Sequence, residues 1–165
     1  MEIHELHQLI EKVCPISGLS QTGQDQYSIN FNEDANDENK AAAQAILDNL
    51  PFYAAKLDKL KQIDADFESN TNQGWDSGQG FKLGLTTQDV SLLVGLFVLA
   101  KEGASLGVDP PPVIDTTGVS HQLTMQELTM LMLQYGSARA ELSKTYASRK
   151  KLVENATTIE ELNNI

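Results

Sequence analysis

Apolar residues recur along this chain with two different periods, and the changes of period mark out its elements. From Glu2 to Val13, the residues Ile3, Leu6, Leu9/Ile10 and Val13 fall three to four apart, which gives one apolar face on a helix that Pro15 and Gly18 end. The polar, turn-rich run Ser17 to Asp25 is expected to be a loop. Tyr27-Ser28-Ile29-Asn30-Phe31 alternates apolar with polar, as a half-buried strand does. Asn36 is placed to cap a helix whose first turn holds Asp37 and Glu38, where the helix dipole favours anions. That helix continues through Ala41–Leu47 to about Leu50, and Pro51 interrupts it. A second helical segment, Phe52 to Phe67, carries Leu57, Leu60 and Ile63 on one side.

From Glu68 to Gly80 the pattern gives way to Ser, Asn, Gly and Asp around the lone Trp75, which predicts a linker. Phe81 to Leu85 then predicts a short strand, and Thr86-Thr87-Gln88-Asp89 a capping box ahead of an apolar run. The helix from Thr87 to about Lys101 is apolar on nearly every side, and a domain this small can barely cover such a helix alone. Val90, Leu93, Leu96 and Phe97 are therefore expected to meet another subunit. Val113 to Leu123 predicts a hairpin turning near Thr117-Gly118. Thr124 with Glu127 is a second capping box, opening a helix that can run to Asn155, at roughly 45 Å longer than a compact domain needs. Leu128, Leu131, Tyr135, Ala138, Leu142, Thr145, Arg149 and Leu152 fall near the a and d positions of a degenerate heptad. Leu128, Leu131, Tyr135 and Leu142 join the expected interface. Thr157 with Glu160 is placed to start one last turn.

The expected fold is thus α+β and mainly helical. A small N-terminal helix–strand–helix unit spans 1–67, a linker 68–80, and a helical domain 81–165 with its hairpin near 113–123. Composition narrows the function. A formal net charge of -11 disfavours nucleic acid and anionic membrane, because both need a basic surface. The longest apolar run, Val90 to Ala100, is about half of what a membrane-spanning helix needs. The N-terminus lacks the basic and apolar regions of a signal peptide, which points to synthesis and assembly in a cytoplasm. Basic residues gather late, at Arg139, Lys144, Arg149, Lys150 and Lys151, so acidic and basic halves could dock head to tail between subunits. Met125, Met130 and Met132 lie among Leu128, Leu131 and Leu133, an adaptable apolar surface.

Candidate chemistry is sparse. His4 and His7 are spaced i, i+3 rather than the i, i+4 of a helical metalloprotease site. Asp34 to Glu38 opens like a calcium loop, but Asn39 stands where glycine is needed and Ala45 where the bidentate acid belongs. Cys14, the single cysteine, has no activating neighbour and suits a small buried role. Gly78 and Gly80 lack the third glycine of a dinucleotide fingerprint, and Glu160-Glu161 reads as helix capping. No enzyme, metal or cofactor is expected.

The ending Val153, Ala156, Thr157, Thr158, Glu160, Glu161 and Leu162 resembles the C-terminal I-x-x-A-T-T-x-E-E-L phrase of an uncharacterised domain in phage and prophage tail-fibre and tail-associated proteins. The layout before it is similar too: a strand with Phe81, an apolar helix, a hairpin, and Leu123-Thr124 opening a long helix. The resemblance covers about Trp75 to Ile165. A looser one joins Ile29-Asn30-Phe31, Asp34 to Glu38 and Ala41-Ala42-Ala43-Gln44-Ala45 to a phrase of short tail-fibre segments. The resemblance implies a non-enzymatic virion component in the phage tail, fibre or baseplate-attached, oligomeric (a trimer is favoured) and in contact with other tail proteins. This chain departs from tail fibres in being short and lacking a Gly-rich β shaft, which fits an adaptor or baseplate-proximal piece. The alternatives are a fibre-assembly chaperone not retained in the virion, and an unrelated bacterial adaptor.

Overall fold

The computed structural model describes residues 1–23 and 26–165. Its elements are α1 (Ile3–Glu11), β1 (Ile16–Gly23), β2 (Gln26–Phe31), α2 (Asp37–Asp48), α3 (Leu50–Gln73), β3 (Trp75–Asp76), β4 (Lys82–Leu83), α4 (Thr87–Ser105), β5 (Val113–Ile114), β6 (Ser120–His121), α5 (Met125–Asn155) and α6 (Ile159–Asn163). The fold is α+β and mainly helical, and the strands pair only as antiparallel twos: β1 with β2, β3 with β4, and β5 with β6. Two compact units divide the chain, one of Met1–Leu60 with Val153–Ile165, the other of Lys61–Leu152. The division thus falls at Leu60/Lys61 and Leu152/Val153, not at a linker over 68–80.

In the first unit, Leu6 and Ile10 of α1 are buried with Cys14, Ile16, Ala35, Ala43 and Ile46. Ile3 and Val13, expected on the same face, remain exposed at its ends. The expected loop from Ser17 is strand β1 as far as Gly23, and Gln24 and Asp25 lie outside the described residues. β1 supplies the partner that β2 needs, since a lone strand leaves its backbone groups unpaired. Leu19 sits opposite Ile29, and irregularities between Ile16/Gly18 and Gln21/Gly23 interrupt the register. Most of β1's other side chains are polar and at least partly exposed, so the strand carries no alternation of apolar and polar residues. Asn36 caps α2 as expected, its side chain accepting from the Asn39 N–H at 2.8 Å. Pro51 does not merely stop that helix. It stands in the first turn of α3, where a missing N–H costs nothing.

The C-terminal tail packs into the same unit, with Val153, Ala156 and Leu162 buried. Lys56 Nζ donates to the carbonyls of Glu154 at 2.7 Å and Ala156 at 3.3 Å, taking up acceptors that the end of α5 leaves unpaired. The terminal cap is Thr158 with Glu161, one residue beyond the expected Thr157 with Glu160. Both pairs have capping-box spacing; the observed register is the one that buries Leu162.

In the second unit the expected linker is largely ordered structure. α3 continues through Glu68–Gln73 because Thr71 is buried there, its carbonyl accepting the Leu85 N–H at 3.1 Å. Gly74 ends the helix at φ 74°, where a Cβ would meet the Leu83 carbonyl oxygen at 2.7 Å. β3 and β4 follow as a short hairpin, with Trp75 opposite Leu83. The core joins Phe81, Leu83, Leu85, Leu93, Ala100, Val113, Leu128, Leu131 and Tyr135. Tyr135 Oη donates to the Gly84 carbonyl at 2.6 Å and packs edge-on against Trp75, centroids 5.9 Å apart.

The hairpin of β5 and β6 turns where expected, at Gly118 with φ 83°. Asp115 organises it, accepting from the N–H groups of Thr117 at 2.8 Å and Val119 at 2.9 Å and from Thr117 Oγ1 at 2.7 Å. His121 Nε2 donates to its other oxygen at 2.8 Å, and the imidazole stacks on Phe81 with centroids 4.0 Å apart. His121 foremost, then Thr117, with a smaller part from the Val119 N–H, hold the Asp115 carboxyl well below the usual carboxylate range. A depressed carboxylate adds stability above its unfolded value, and that stability is lost as pH falls through the folded one. The Thr117 and Val119 amide resonances are therefore expected to keep their hydrogen-bonded positions below pH 3.8, the ordinary aspartate value, and to move only in stronger acid. A midpoint at the ordinary value would contradict this hairpin lock.

Candidate functional site

α4 starts with the expected capping box: the Asp89 carboxylate accepts from the Thr86 N–H at 2.9 Å, and Thr86 Oγ1 accepts from the Asp89 N–H at 3.2 Å. It runs beyond Lys101 to Ser105, and the Leu106 and Val108 N–H groups return to the Gly103 carbonyl. α5 opens with the other expected box, as Thr124 N–H donates to Glu127 at 2.8 Å and Glu127 N–H to Thr124 Oγ1 at 3.2 Å.

The packing places the residues of the expected interface within the second unit. Leu93, Leu128, Leu131 and Tyr135 are buried in the core of the second unit, while Val90, Leu96, Phe97 and Leu142 are half-buried against it. These eight residues build the unit. The heptad on α5 is likewise an internal seam in its first half, and Arg149 and Leu152 depart from it, one ion-paired and the other exposed.

The apolar excess of α4 emerges on the opposite side. Leu92 is 65% exposed, Val94 45%, Val98 53% and Leu99 68%, so burial of Leu93 and Ala100 leaves a second apolar face outward. With 3.6 residues per turn, Ser91, Gly95, Val98 and Glu102 run along the middle of that face, flanked by Leu92 and Leu99 on one side and Val94 on the other. Among the described residues, nothing lies within 4 Å of where a Cβ on Gly95 would stand.

On the Leu92/Leu99 flank the face opens into a groove of about 520 Å³. Leu83, Leu93, Val113 and Tyr135 form its buried lining, and Leu92, Leu99, Pro111 and Ile114 its more open wall. The polar side chains on the lining are already engaged. Asp89 caps α4, Ser91 Oγ donates to the Thr87 carbonyl at 2.9 Å, and the Tyr135 phenol donates to Gly84. Burial, aided by the nearby Asp89 carboxylate and opposed by Arg139, pushes the Tyr135 phenol up to about 12, so it stays protonated. The lining is mainly apolar.

The other sequence candidates fall elsewhere. His4 lies 3.2 Å from Glu2 and His7 3.9 Å from Glu11, each beside a carboxylate of its own. Cys14 is buried in the first unit, its thiol facing the Pro15 carbonyl. Part of the basic stripe is used within the second unit: Arg149 pairs with Asp66 at 2.9 Å and Lys150 with Asp64 at 3.1 Å, where Tyr146 also donates to Asp64 at 2.7 Å. Met130 and Leu133 are exposed, Met125 and Met132 half-buried, so the methionine cluster is split between core and surface. No helix of the described residues is long and apolar enough to cross a membrane.

Comparison of the chain with profiles of known protein families, with characterised proteins and with solved structures finds no match.

Proposed function

We propose that this chain is a non-enzymatic structural component of a bacteriophage tail, fibre or baseplate-attached, that works through protein–protein contacts made by the outward face of α4. The observation that carries the docking role is the exposed set Leu92, Val94, Val98 and Leu99 beside an apolar groove. Full burial of a Leu or Val side chain contributes about 1.5–3 kcal/mol, so covering four that are half to two-thirds exposed contributes roughly 4–7 kcal/mol. Association costs about 4–15 kcal/mol, so a partner with a comparable apolar face is needed to hold the contact. The setting in a tail is supported by the A-T-T-x-E-E-L ending and the layout before it, and by no other feature.

Mass spectrometry of purified particles tests the setting. The expected result is the chain at a copy number fixed relative to the other tail proteins, and its loss when Leu92 and Leu99 are both replaced by Glu. Absence from finished particles together with presence in assembling ones would replace this reading by the assembly chaperone.

A further inference from the structure

We propose that the outward face of α4 pairs with the same face of a second copy of this chain, antiparallel, about a two-fold axis beside Gly95. The proposal rests on the reading of α4 as a docking face and names its occupant.

Charge selects where two such copies can touch. Each carries -11, so two copies repel overall, and least where neither presents an ionisable group. Between Asp89 and Lys101 the α4 sequence has no ionisable residue.

Shape makes the face complementary to itself. Ser91 and Gly95, one turn apart, leave a shallow depression beside the projecting Val98. In a reversed copy centred near Gly95, Val98 of one helix enters the depression over Ser91 and Gly95 of the other, and Leu99 meets Leu92. Each projection finds its recess in the same sequence, so the contact is isologous and closes with two copies.

Direction follows from Glu102, on the same line of the helix. In a parallel pair, or in a parallel three-fold bundle, the Glu102 carboxylates gather at one level. In the antiparallel pair each lies near Gln88 in the first turn of the other helix, where unpaired N–H groups and the helix dipole favour an anion.

Cysteine trapping in the full-length chain tests the register. Cys14 is buried and serves as a constant background. Chains with Leu92→Cys and chains with Leu99→Cys, distinguishable by mass, are oxidised mildly, separately and mixed. The expected result is a disulfide-linked pair of unlike chains in the mixture, several-fold above the linkage in either variant alone. Linkage within either variant alone that equals or exceeds that of the mixture would overturn the antiparallel register. No linkage anywhere, with helical circular dichroism unchanged, would overturn self-pairing altogether. Leu92→Glu with Leu99→Glu separates that failure from failure of the docking reading. A monomeric wild type whose incorporation into particles this variant abolishes would dock α4 on another tail protein, which refutes the pairing and leaves the docking face standing.

Discussion

Replacing Tyr135 by Ala is expected to lower the free energy of unfolding by about 3–5 kcal/mol, the range for truncating a buried aromatic side chain. Tyr135 is 2% exposed and belongs to the core that α4, α5 and the two short hairpins share. Its ring also supports Trp75, and its hydroxyl serves the Gly84 carbonyl. Tyr135→Phe keeps the ring and removes only the donor, so its cost is expected to be about 0.5–1.5 kcal/mol, the net contribution of one such hydrogen bond. Gly84 is hemmed in from the other side as well, because a Cβ there would run into the Asp89 carboxylate. Urea unfolding followed by the fluorescence of Trp75, the single tryptophan, measures both variants. A loss below about 1 kcal/mol for the alanine variant would contradict the assignment of Tyr135 to the core.

Leu92→Glu combined with Leu99→Glu is expected to do the reverse: spare the fold and remove the association. Both side chains are about two-thirds exposed, and surface substitutions away from special features stay within about 0.5 kcal/mol. On the paired face they set four carboxylates against one another. Like charges brought together at an interface cost several kcal/mol, which at about 1.4 kcal/mol per decade is a weakening of at least about 100-fold. Sedimentation velocity gives the association and thermal unfolding gives the fold. A large drop in stability with association unchanged would mean that the face is covered by the chain's own residues.

Much of this fold is legible in the sequence because its signals are local. The capping boxes at Thr86/Asp89 and Thr124/Glu127 are side-chain-to-backbone bonds three residues apart, and their spacing is visible before any folding. The same holds for Asn36 and for the turn at Gly118. What escaped depends on distant partners. Strand β1 exists because β2 lies beside it, and most of its own residues are polar. Glu68–Gln73 stays helical because the Thr71 carbonyl meets Leu85, fourteen residues on in the chain. The docking face was legible only by half. The excess of apolar residues on α4 showed that one side would lack cover, but Leu93 and Leu92 are equally apolar, and only packing against Tyr135 and Val113 decides which one turns inward. The tail setting is a different kind of inference. Thr157, Thr158 and Glu161 make a helix cap by their own chemistry, and only their resemblance to a phage phrase supports the proposal of a virion.

The electrostatics give the paired face a signature of its own. A head-to-tail contact between acidic and basic surfaces weakens as salt screens it. A mainly apolar contact between two copies of net charge -11 strengthens instead, because what salt chiefly screens is their repulsion. Sedimentation equilibrium of the full chain over micromolar concentrations, at low and at high salt, therefore tests the central claim most directly. The predicted result is a mass that rises toward twice 18.1 kDa with concentration, stops there, and is reached at lower concentration in high salt. A mass that stays at one chain under every condition, or that falls back to one chain as salt is added, would contradict it.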